Sequence, residues 1–304
     1  RVSLGVQSFI DREAQVSGRL HSRAVVLDDL RRLRSVGITN LNVDLIAGLA
    51  GQTFASWEES LAVLIDTGVP HASVYMLEVD EDSRLGREML GGGARYYAEL
   101  VPADDAIAGM YETAIERLAG AGLRQYEISN FGRRGYPSRH NLRYWERRPY
   151  LGLGLDASSM LREASGDGSG YVLRSTTTDD LKAYLGEPVA GSVANSWGGE
   201  PAETAWLSLE RQHEEAWFVG LRLNSGVKLA ALRREFGREP VRRALTVVER
   251  LVEDGMLMSD GKTVRLTAKG RLLSNDVFQE FLGVAEGLEA SERRAAAEVE
   301  LSGG

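Results

Sequence analysis

The sequence contains no cysteine in its 304 residues. Disulfides are therefore excluded, and no side chain of these residues offers a thiolate to zinc or to an iron–sulfur cluster. Long hydrophobic runs are missing too, because no apolar segment approaches the roughly 18 residues that cross a bilayer, and no charged-then-apolar leader opens the sequence. We expect a cytoplasmic protein.

The sequence also lacks an excess of positive charge. The net charge is −8, from 36 basic and 44 acidic residues. This balance argues against the large basic surface on which bulk nucleic-acid binding depends, so no nucleic-acid partner is expected. The remaining composition is that of a globular protein, with 43% hydrophobic and 26% charged residues, and the length favours about two domains.

The N-terminal part of the chain alternates strand and helix patterns, as in βαβ units around a parallel sheet. Predicted strands are Arg1–Gln7, Asn40–Ile46 and Ala72–Leu77, and predicted helices are Arg23–Val36 and Ser56–Thr67, the second capped by Ser56 with Glu59 three residues on. Because Arg1–Gly5 reads as the middle of a buried strand and no Met precedes it, we also expect sequence upstream.

The pattern then changes twice. An amphipathic helix is predicted at Pro102–Gly122, and strands of a small additional sheet at Tyr126–Asn130 and Tyr150–Leu161, with the loop Phe131–Trp145 between them. Gly191–Thr204 is the best candidate for an interdomain linker. Helices at 214–222, 228–236, 240–254 and 268–282, with a hairpin turning at Asp260-Gly261, form a winged-helix-like order.

Three polar residues mark a candidate ligand site at the strand ends. Gln7 ends the first predicted strand, Arg19 follows in a loop, and Asp44 ends the second strand. An amide, a guanidinium and a carboxylate at one sheet edge could hold a ligand that carries both a carboxylate and ribose hydroxyls. Each residue could equally be an ordinary strand-end side chain that bonds local backbone, and spacing alone does not decide between these interpretations.

Five segments carry a resemblance to a known family. They are RVSLGVQSF (1–9), NVDLI with GLAGQT (42–53), QYEISNF (125–131), SRHNLRYW (138–145) and LTAKGRLLSN (266–275). In this order they resemble the radical S-adenosylmethionine family of oxygen-independent coproporphyrinogen III oxidases, and the His-Asn-x-x-Tyr-Trp pattern is similar to that of its HemW heme-chaperone branch. The similarity covers about 1–285.

The resemblance implies an α/β fold in several parts. Residues 1–100 would be the last three βα units of a partial TIM-like radical SAM barrel, and 101–190 a small α+β extension that carries the His-Asn-x-x-Tyr-Trp segment. A linker at 191–204 would lead to a helical, winged-helix-like C-terminal domain at 205–285, followed by a flexible tail at 286–304.

The resemblance also implies ligands. Positions matching Gln7, Arg19 and Asp44 line S-adenosylmethionine in the family, and His140 would give an axial nitrogen to heme iron, with Tyr144 and Trp145 stacking on the macrocycle. Arg139 or Arg143 would then meet the propionates. From the residues alone, a loop histidine hydrogen-bonded to backbone is an equal alternative. The turn Gly48–Thr53 could approach a ligand or simply connect strand to helix.

Two departures from the family bear on function. The Cys-x3-Cys-x2-Cys loop that ligates the family's [4Fe–4S] cluster is missing, so that cluster is expected only in a full-length form with cysteines upstream of Arg1. The family's Gly-Ala-His-Ser histidine is replaced by Ser158, which we interpret as a packed strand residue. The other histidines, His21, His71 and His213, lack a ligand pair at helical spacing and are interpreted as surface or core residues.

The function that the resemblance implies is that of a heme chaperone, which binds heme and S-adenosylmethionine and transfers the heme to an unknown acceptor protein. Peripheral membrane contact during heme delivery would fit this role. The alternatives are an oxygen-independent coproporphyrinogen III oxidase of porphyrin biosynthesis, and a binding module without catalysis. Whether the chain is an enzyme is left open, since the cluster cysteines are lacking.

Overall fold

The structure is a computed structural model, and it describes residues 1–78, 95–162, 170–185 and 201–283. The chain divides into two compact units, residues 1–138 and 139–304, and each is described by itself.

The first unit is built around one mixed sheet. Its strands are β1 (Val2–Gln7), β2 (Leu41–Ala47), β3 (His71–Met76), β4 (Arg124–Glu127) and β5 (Asn130–Gly132). Its helices are α1 (Asp11–Val16), α2 (Arg23–Ser35), α3 (Phe54–Asp66) and α4 (Asp104–Gly120), with a 3₁₀ helix at Arg95–Leu100. The strand order is β1-β2-β3-β5-β4, with β1, β2 and β3 parallel.

The two faces of this sheet differ in chemistry because side chains alternate along each strand. Val43, Leu45 and Ala47 of β2 are fully buried. Trp57 of α3 is fully buried as well, and its indole N–H donates to the Met110 carbonyl of α4 at 2.6 Å. The opposite face carries the polar residues Asn42 and Asp44 of β2.

Helix α3 begins one turn earlier than the sequence predicts. Thr53 is its N-cap, and Thr53 and Ser56 form a reciprocal capping box. Ser56 is therefore the third helical residue rather than the cap, and the prediction of Ser56 as cap is wrong. The Ser56 hydroxyl accepts from the backbone N–H of the cap residue Thr53, as a glutamate at this third helical position would.

The segment predicted as a strand at Tyr126–Asn130 is a tight hairpin. Strands β4 and β5 pair antiparallel to each other, and β5 pairs with β3. The hairpin thus extends the main sheet, and its assignment to an additional sheet is wrong. These five residues include the end of β4 and the turn that follows it. The alternation of apolar and polar residues does not distinguish such a turn from a continuous strand.

The second unit begins with a helix where a loop was predicted. Its helices are α5 (Arg139–Trp145), α6 (Leu181–Tyr184), α7 (Leu209–Leu221), α8 (Leu229–Phe236), α9 (Arg238–Glu253), α10 (Ala268–Leu272) and α11 (Ser274–Gln279). Its strands are β6 (Ser158–Arg162), β7 (Val172–Thr177), β8 (Pro201–Leu207), β9 (Val227–Lys228), β10 (Leu257–Ser259) and β11 (Thr263–Leu266).

Two small sheets organise this unit. Strands β6, β7 and β8 form an antiparallel sheet in that order, and β9, β11 and β10 form the wing. The order α7-β9-α8-α9-β10-β11 is that of a winged helix, as predicted. In its core, the rings of Trp217 and Phe281 stack with centroids 4.9 Å apart.

Several predicted boundaries change in this unit. The strand predicted at Tyr150–Leu161 is β6 preceded by a single bridge between Tyr150 and Met160. Residues 201–204, predicted as the end of the linker, belong to β8, while 191–200 and the tail 286–304 lie outside the described residues. The final helix is two short helices that meet at Leu273. The division into domains stays a prediction.

The described residues include no helix long and apolar enough to cross a membrane.

Candidate functional site

Gln7 lies at the end of β1 in a backbone conformation that is rare for its residue type. Its φ is +66°, and the pairing of β1 with β2 shifts register between Gly5 and Gln7. A non-glycine residue in the left-handed region costs roughly 1 kcal/mol, so the surrounding structure must hold it there. Gln7 is also buried, with 8% of its surface exposed.

Arg19 is held by the end of a helix that the sequence did not predict. The Gly18 N–H donates to the Gln15 carbonyl, and the Arg19 N–H donates to the Ala14 carbonyl, both at 2.9 Å. With Gly18 at φ +81°, these bonds form a Schellman motif that ends α1. Arg19 lies in a loop, as expected, three residues after the last residue of this short helix.

The side chains of Gln7, Arg19 and Asp44 converge around Gly5. A Cβ atom added to Gly5 would lie 3.4 Å from Gln7 Nε2 and 3.6 Å from Arg19 Nη2. Asp44 is the partner of Gly5 in the ladder between β1 and β2, and partners in parallel strands project to the same face. The Gln7 amide and the Arg19 guanidinium therefore lie against Gly5, with the Asp44 carboxylate on the same face, and we call this group of side chains the Gly5 cradle.

Asp44 is oriented by its neighbour on the same face of β2. Asn42 Nδ2 donates to Asp44 Oδ1 at 2.6 Å, while Asn42 Oδ1 contacts His71 Nδ1 at 2.7 Å. Burial and the nearby Arg1 cation lower the pKa of His71 to about 3, so this histidine is neutral near pH 7. His71 is 1% exposed, which confirms its interpretation as a core residue.

A second buried network lies behind the end of β1. The Ser8 hydroxyl donates to Glu13 Oε2 at 2.6 Å, and Gln52 Nε2 donates to the same oxygen at 3.3 Å. The Phe9 N–H donates to Ser60 Oγ at 3.2 Å. These bonds connect α1 and α3 to the residues that follow Gln7, so they fix the backbone on which Gln7 stands.

The turn Gly48–Thr53 has the structure of a tight strand-to-helix connection. Gln52 Oε1 accepts from the Gly48 N–H at 2.6 Å, which closes the turn on itself. Gly48 has φ +97°, and a Cβ there would lie 2.7 Å from the Ile107 side chain. The packing of α4 against the turn accounts for this glycine without a ligand.

His140 lies on α5 in the second unit, and its side chain is exposed. Its Nε2 is 3.2 Å from the Tyr144 hydroxyl, and the two rings meet edge to face with centroids 4.9 Å apart. Tyr144 in turn meets Tyr150 at 4.6 Å. The described partner of the imidazole is thus a tyrosine one turn along the helix, not a backbone group.

The neighbours of His140 on α5 differ in how free their side chains are to contact a ligand. The Arg222 guanidinium lies over the Trp145 ring at 4.3 Å, so that face of the indole is covered. Arg143 donates to the Pro149 carbonyl at 2.5 Å, while Arg139 is exposed. Within this unit, Tyr144 and Arg139 are better placed than Trp145 and Arg143 to meet a ligand of His140.

Ser158 is the first residue of β6 and is exposed, so its interpretation as a packed residue is wrong. His213 is 1% exposed and its pKa is lowered to about 4 by burial, and it accepts from Trp217 Nε1 at 3.1 Å. His21 is half-buried, with Nε2 3.3 Å from the Val6 carbonyl. Both fit the expected structural roles.

Comparison with known proteins gives one family. The family described as HemN C-terminal domain matches residues 207–273. The chain is 32% identical over 285 residues to the heme chaperone HemW of Bacillus subtilis, covering 93% of the chain and 69% of that protein. It is 30% identical to the heme chaperone HemW of Lactococcus lactis over the same shares. The chain belongs to the HemW/HemN radical SAM family.

A solved structure of this family shows the same fold. The coproporphyrinogen III oxidase HemN from Escherichia coli, described as a radical SAM enzyme, aligns with a TM-score of 0.68 at 20% sequence identity. The alignment covers 92% of this chain and 63% of that chain. The predicted α/β fold of the HemW/HemN family is confirmed.

The family's cofactors fit these residues unequally. No cysteine is present to hold a [4Fe–4S] cluster, so the residues of this chain do not fit that group. The donor set around the Gly5 cradle does fit S-adenosylmethionine, which carries a carboxylate, an amino group and ribose hydroxyls.

Sequence reasoning missed the residues that support Asp44 and Gln7. Asn42 and Ser8 lie inside segments that carry the family resemblance, but the sequence suggested no role for them, and Glu13 belongs to none of these segments. The available signal was polarity at strand positions that an all-apolar buried strand would not contain.

Proposed function

We propose that this chain is the heme-binding and adenosylmethionine-binding portion of a heme chaperone of the HemW type. The relatives named heme chaperone HemW match 93% of the chain. The single observation that carries the proposal is the exposed His140 on α5, whose imidazole is oriented by Tyr144.

An imidazole of this kind can coordinate heme iron through either ring nitrogen. The hydroxyl of Tyr144 fixes the ring plane, since it bonds Nε2 and the rings meet edge to face. Coordination through Nε2 would displace the tyrosine hydroxyl, whereas coordination through Nδ1 would leave that hydrogen bond in place.

In this proposal Arg19 pairs with the carboxylate of adenosylmethionine, and Asp44 accepts hydrogen bonds from its ribose hydroxyls. Gln7 is held at φ +66° so that its amide contributes to the same cradle. Bound adenosylmethionine would supply radical chemistry only together with a reducing cluster, which the residues of this chain do not hold. The residues of this chain only bind and orient it, since they offer no cluster ligand.

The heme would pass to an acceptor protein in the cytoplasm, and delivery would involve peripheral contact with a membrane surface. Flotation of the heme-loaded chain with anionic vesicles tests that contact, and recovery of the chain only in the vesicle-free fraction would contradict it.

The decisive experiment is an anaerobic heme titration followed by absorbance. The parent chain should bind heme saturably in a one-to-one ratio, and His140→Ala should lose that binding. His21→Ala is the matched control, because His21 bonds only backbone in the first unit and its removal should leave the titration unchanged.

Equal binding by the parent and by His140→Ala would overturn the role of His140. The likeness to HemN at 20% identity shows the fold alone, so it does not favour an oxidase activity for this chain.

A further inference from the structure

A small pocket with a volume of about 240 Å³ opens on the sheet of strands β6, β7 and β8. Its lining residues are Tyr150, Ser158, Ser159, Arg174, Ser175, Thr176 and Ala205. Because side chains alternate along a strand, those of Ser158, Thr176 and Arg174 share one face of the sheet. Pockets that hold an entire drug-sized ligand measure roughly 300–1,000 Å³. This pocket therefore suits one polar arm of a larger ligand.

The lining is rich in hydrogen-bond donors. Ser158 Oγ and Thr176 Oγ1 lie 3.1 Å apart, so their mutual bond uses one of two hydroxyl hydrogens and leaves the other for a ligand. Among the lining residues that the structure describes, none carries a carboxylate. This chemistry fits an anionic oxygen.

The charges around the pocket favour the same class of ligand. Arg174 pairs with Glu215 at 2.7 Å, and Arg147 and Arg162 share Glu235 at 2.5 and 2.8 Å. These three guanidinium groups pair with two carboxylates, and the neighbouring Glu214 pairs with Arg211. Arg174 is the member that reaches the pocket, and about half of its side chain is exposed.

The pocket is connected to His140 through two aromatic contacts. His140 meets Tyr144, and Tyr144 meets Tyr150, whose ring lines the pocket. All of these residues belong to the second unit. The pocket therefore lies beside the surface on which His140 would meet heme.

We propose that this pocket binds a propionate carboxylate of the heme that His140 coordinates. The inference rests on the proposed heme binding and names the part of the ligand that the pocket recognises. Arg174 gives a charge-assisted bond, and Tyr150 and the pair Ser158 and Thr176 donate hydroxyl hydrogens. Ser158, which replaces the family's histidine, becomes a lining residue of this pocket.

The test compares heme with its dimethyl ester in the same detergent and at the same salt concentration. The ester keeps the iron and the macrocycle but cannot present an anionic oxygen. The parent should bind heme at least tenfold more tightly than the ester, because a hydrogen bond to a charged oxygen is stronger than one to the neutral oxygen of an ester.

Two sets of variants locate the effect in the pocket. Ser158→Ala with Thr176→Val removes the hydroxyl pair, and Arg174→Gln with Glu215→Gln removes a cation together with its buried partner and so conserves net charge. Each should lower heme affinity toward that of the ester and leave ester affinity unchanged. Ser259→Ala, an exposed strand hydroxyl in the wing, should change neither. Thermal unfolding of every variant confirms folding.

The outcomes separate this inference from the proposed function. Heme binding that depends on His140 but does not distinguish the ester would overturn the pocket and leave the chaperone proposal standing. Failure of the parent to bind heme would overturn both. If heme and ester bind equally while inorganic phosphate protects the parent and not the Arg174→Gln and Glu215→Gln variant from thermal unfolding, the pocket takes free anions instead.

Discussion

The hydroxyl of Tyr126 lies 2.9 Å from Nε2 of His71. The direction of this bond follows from the group at the far end of the network. Asp44 can only accept, so Asn42 donates to it through Nδ2 and turns its Oδ1 toward His71, whose Nδ1 must then carry the proton. Nε2 is left as an acceptor, and Tyr126 donates to it.

The same chain of bonds reaches the last residue of the first unit. The Ser138 N–H donates to the Tyr126 oxygen at 2.8 Å, and burial raises the pKa of Tyr126 to about 12, so the phenol keeps its proton. A directional series of bonds therefore connects Asp44 to Ser138, which immediately precedes α5.

The low pKa of His71 predicts that the chain loses stability in acid. Its pKa is lowered from 6.5 in the unfolded chain to about 3 in the folded state. Below pH 6.5 the imidazole binds a proton in the unfolded state but not in the folded state. The free energy of unfolding is therefore undiminished above pH 6.5, and it falls as the pH decreases from 6.5 to 3. His71→Asn, which keeps an N–H for Asn42, removes this titration.

Urea unfolding at pH 7 and pH 5 measures the effect. We expect the difference between the two pH values to be smaller in His71→Asn than in the parent by roughly 2 kcal/mol, since each pH unit is worth about 1.4 kcal/mol per proton. Tyr126→Phe is the control, because it leaves the histidine buried and should retain the parental pH dependence. An unchanged pH dependence in His71→Asn would contradict the buried neutral imidazole.

The close packing at Gly48 predicts a loss of stability when this glycine is replaced. In Gly48→Ala the new methyl group would meet Ile107 at 2.7 Å in a backbone conformation with φ +97°. We expect destabilisation of about 2–4 kcal/mol from the left-handed conformation and the overlap together. Thermal unfolding measures it.

Gly51→Ala is the matched control, because Gly51 has φ +78° but open space around its Cβ. It should cost only about 1 kcal/mol. The double change Gly48→Ala with Ile107→Ala should be less destabilising than the sum of its parts. If the destabilisation of the double variant equals the sum of the two single variants, α4 does not pack against this turn.

The sequence marks some helices more clearly than others. Helix α2 was predicted to within one residue, because Ser22 caps it and Gly37 follows its end. Helix α1 was missed, since six residues are too few to show helical periodicity. The Schellman motif at Gly18, which places Arg19, depends on that helix and was missed with it.

Sequence position predicted part of the candidate site and none of the residues that support it. Gln7 ends β1, as predicted, at the kind of position where parallel sheets bind ligands. Asp44 lies in the middle of β2, so the prediction that it ends its strand is wrong, and its pairing with Gly5 brings it to the site instead. The contact between Asn42 and His71 joins two strands whose register no sequence pattern specifies. The hydroxyl pocket requires Ser158 and Thr176 to face each other across β6 and β7, which again depends on register.

Glu235 predicts a strong destabilisation on neutralisation. Burial alone would raise its pKa, but Arg147 and Arg162 outweigh that effect, and the pKa is lowered. Glu235→Gln would leave two partly buried guanidinium groups without their shared carboxylate. We expect a loss of about 3 kcal/mol in urea unfolding at pH 7.

The control for Glu235 is Glu239→Gln. Glu239 binds Arg242 and Arg243 on the exposed face of α9, where solvent screens such pairs, so its neutralisation should scarcely alter stability. Equal losses in the two variants would mean that burial of the Arg147 and Arg162 cluster contributes nothing.

Asp44→Asn tests the proposed adenosylmethionine cradle without disturbing its support. An asparagine at this position still accepts from Asn42, so the series of bonds through His71 is retained. It lacks the negative charge that would accept from ribose hydroxyls, and we expect at least a tenfold weaker affinity for adenosylmethionine in equilibrium dialysis. The affinity for the 2′-deoxy analogue should fall less, because that ligand offers one hydroxyl fewer. Asp66→Asn, at the exposed end of α3, is the control and should bind as the parent does. Equal affinity of the parent and Asp44→Asn for adenosylmethionine would remove Asp44 from the site and leave its contact with Asn42 as a structural one.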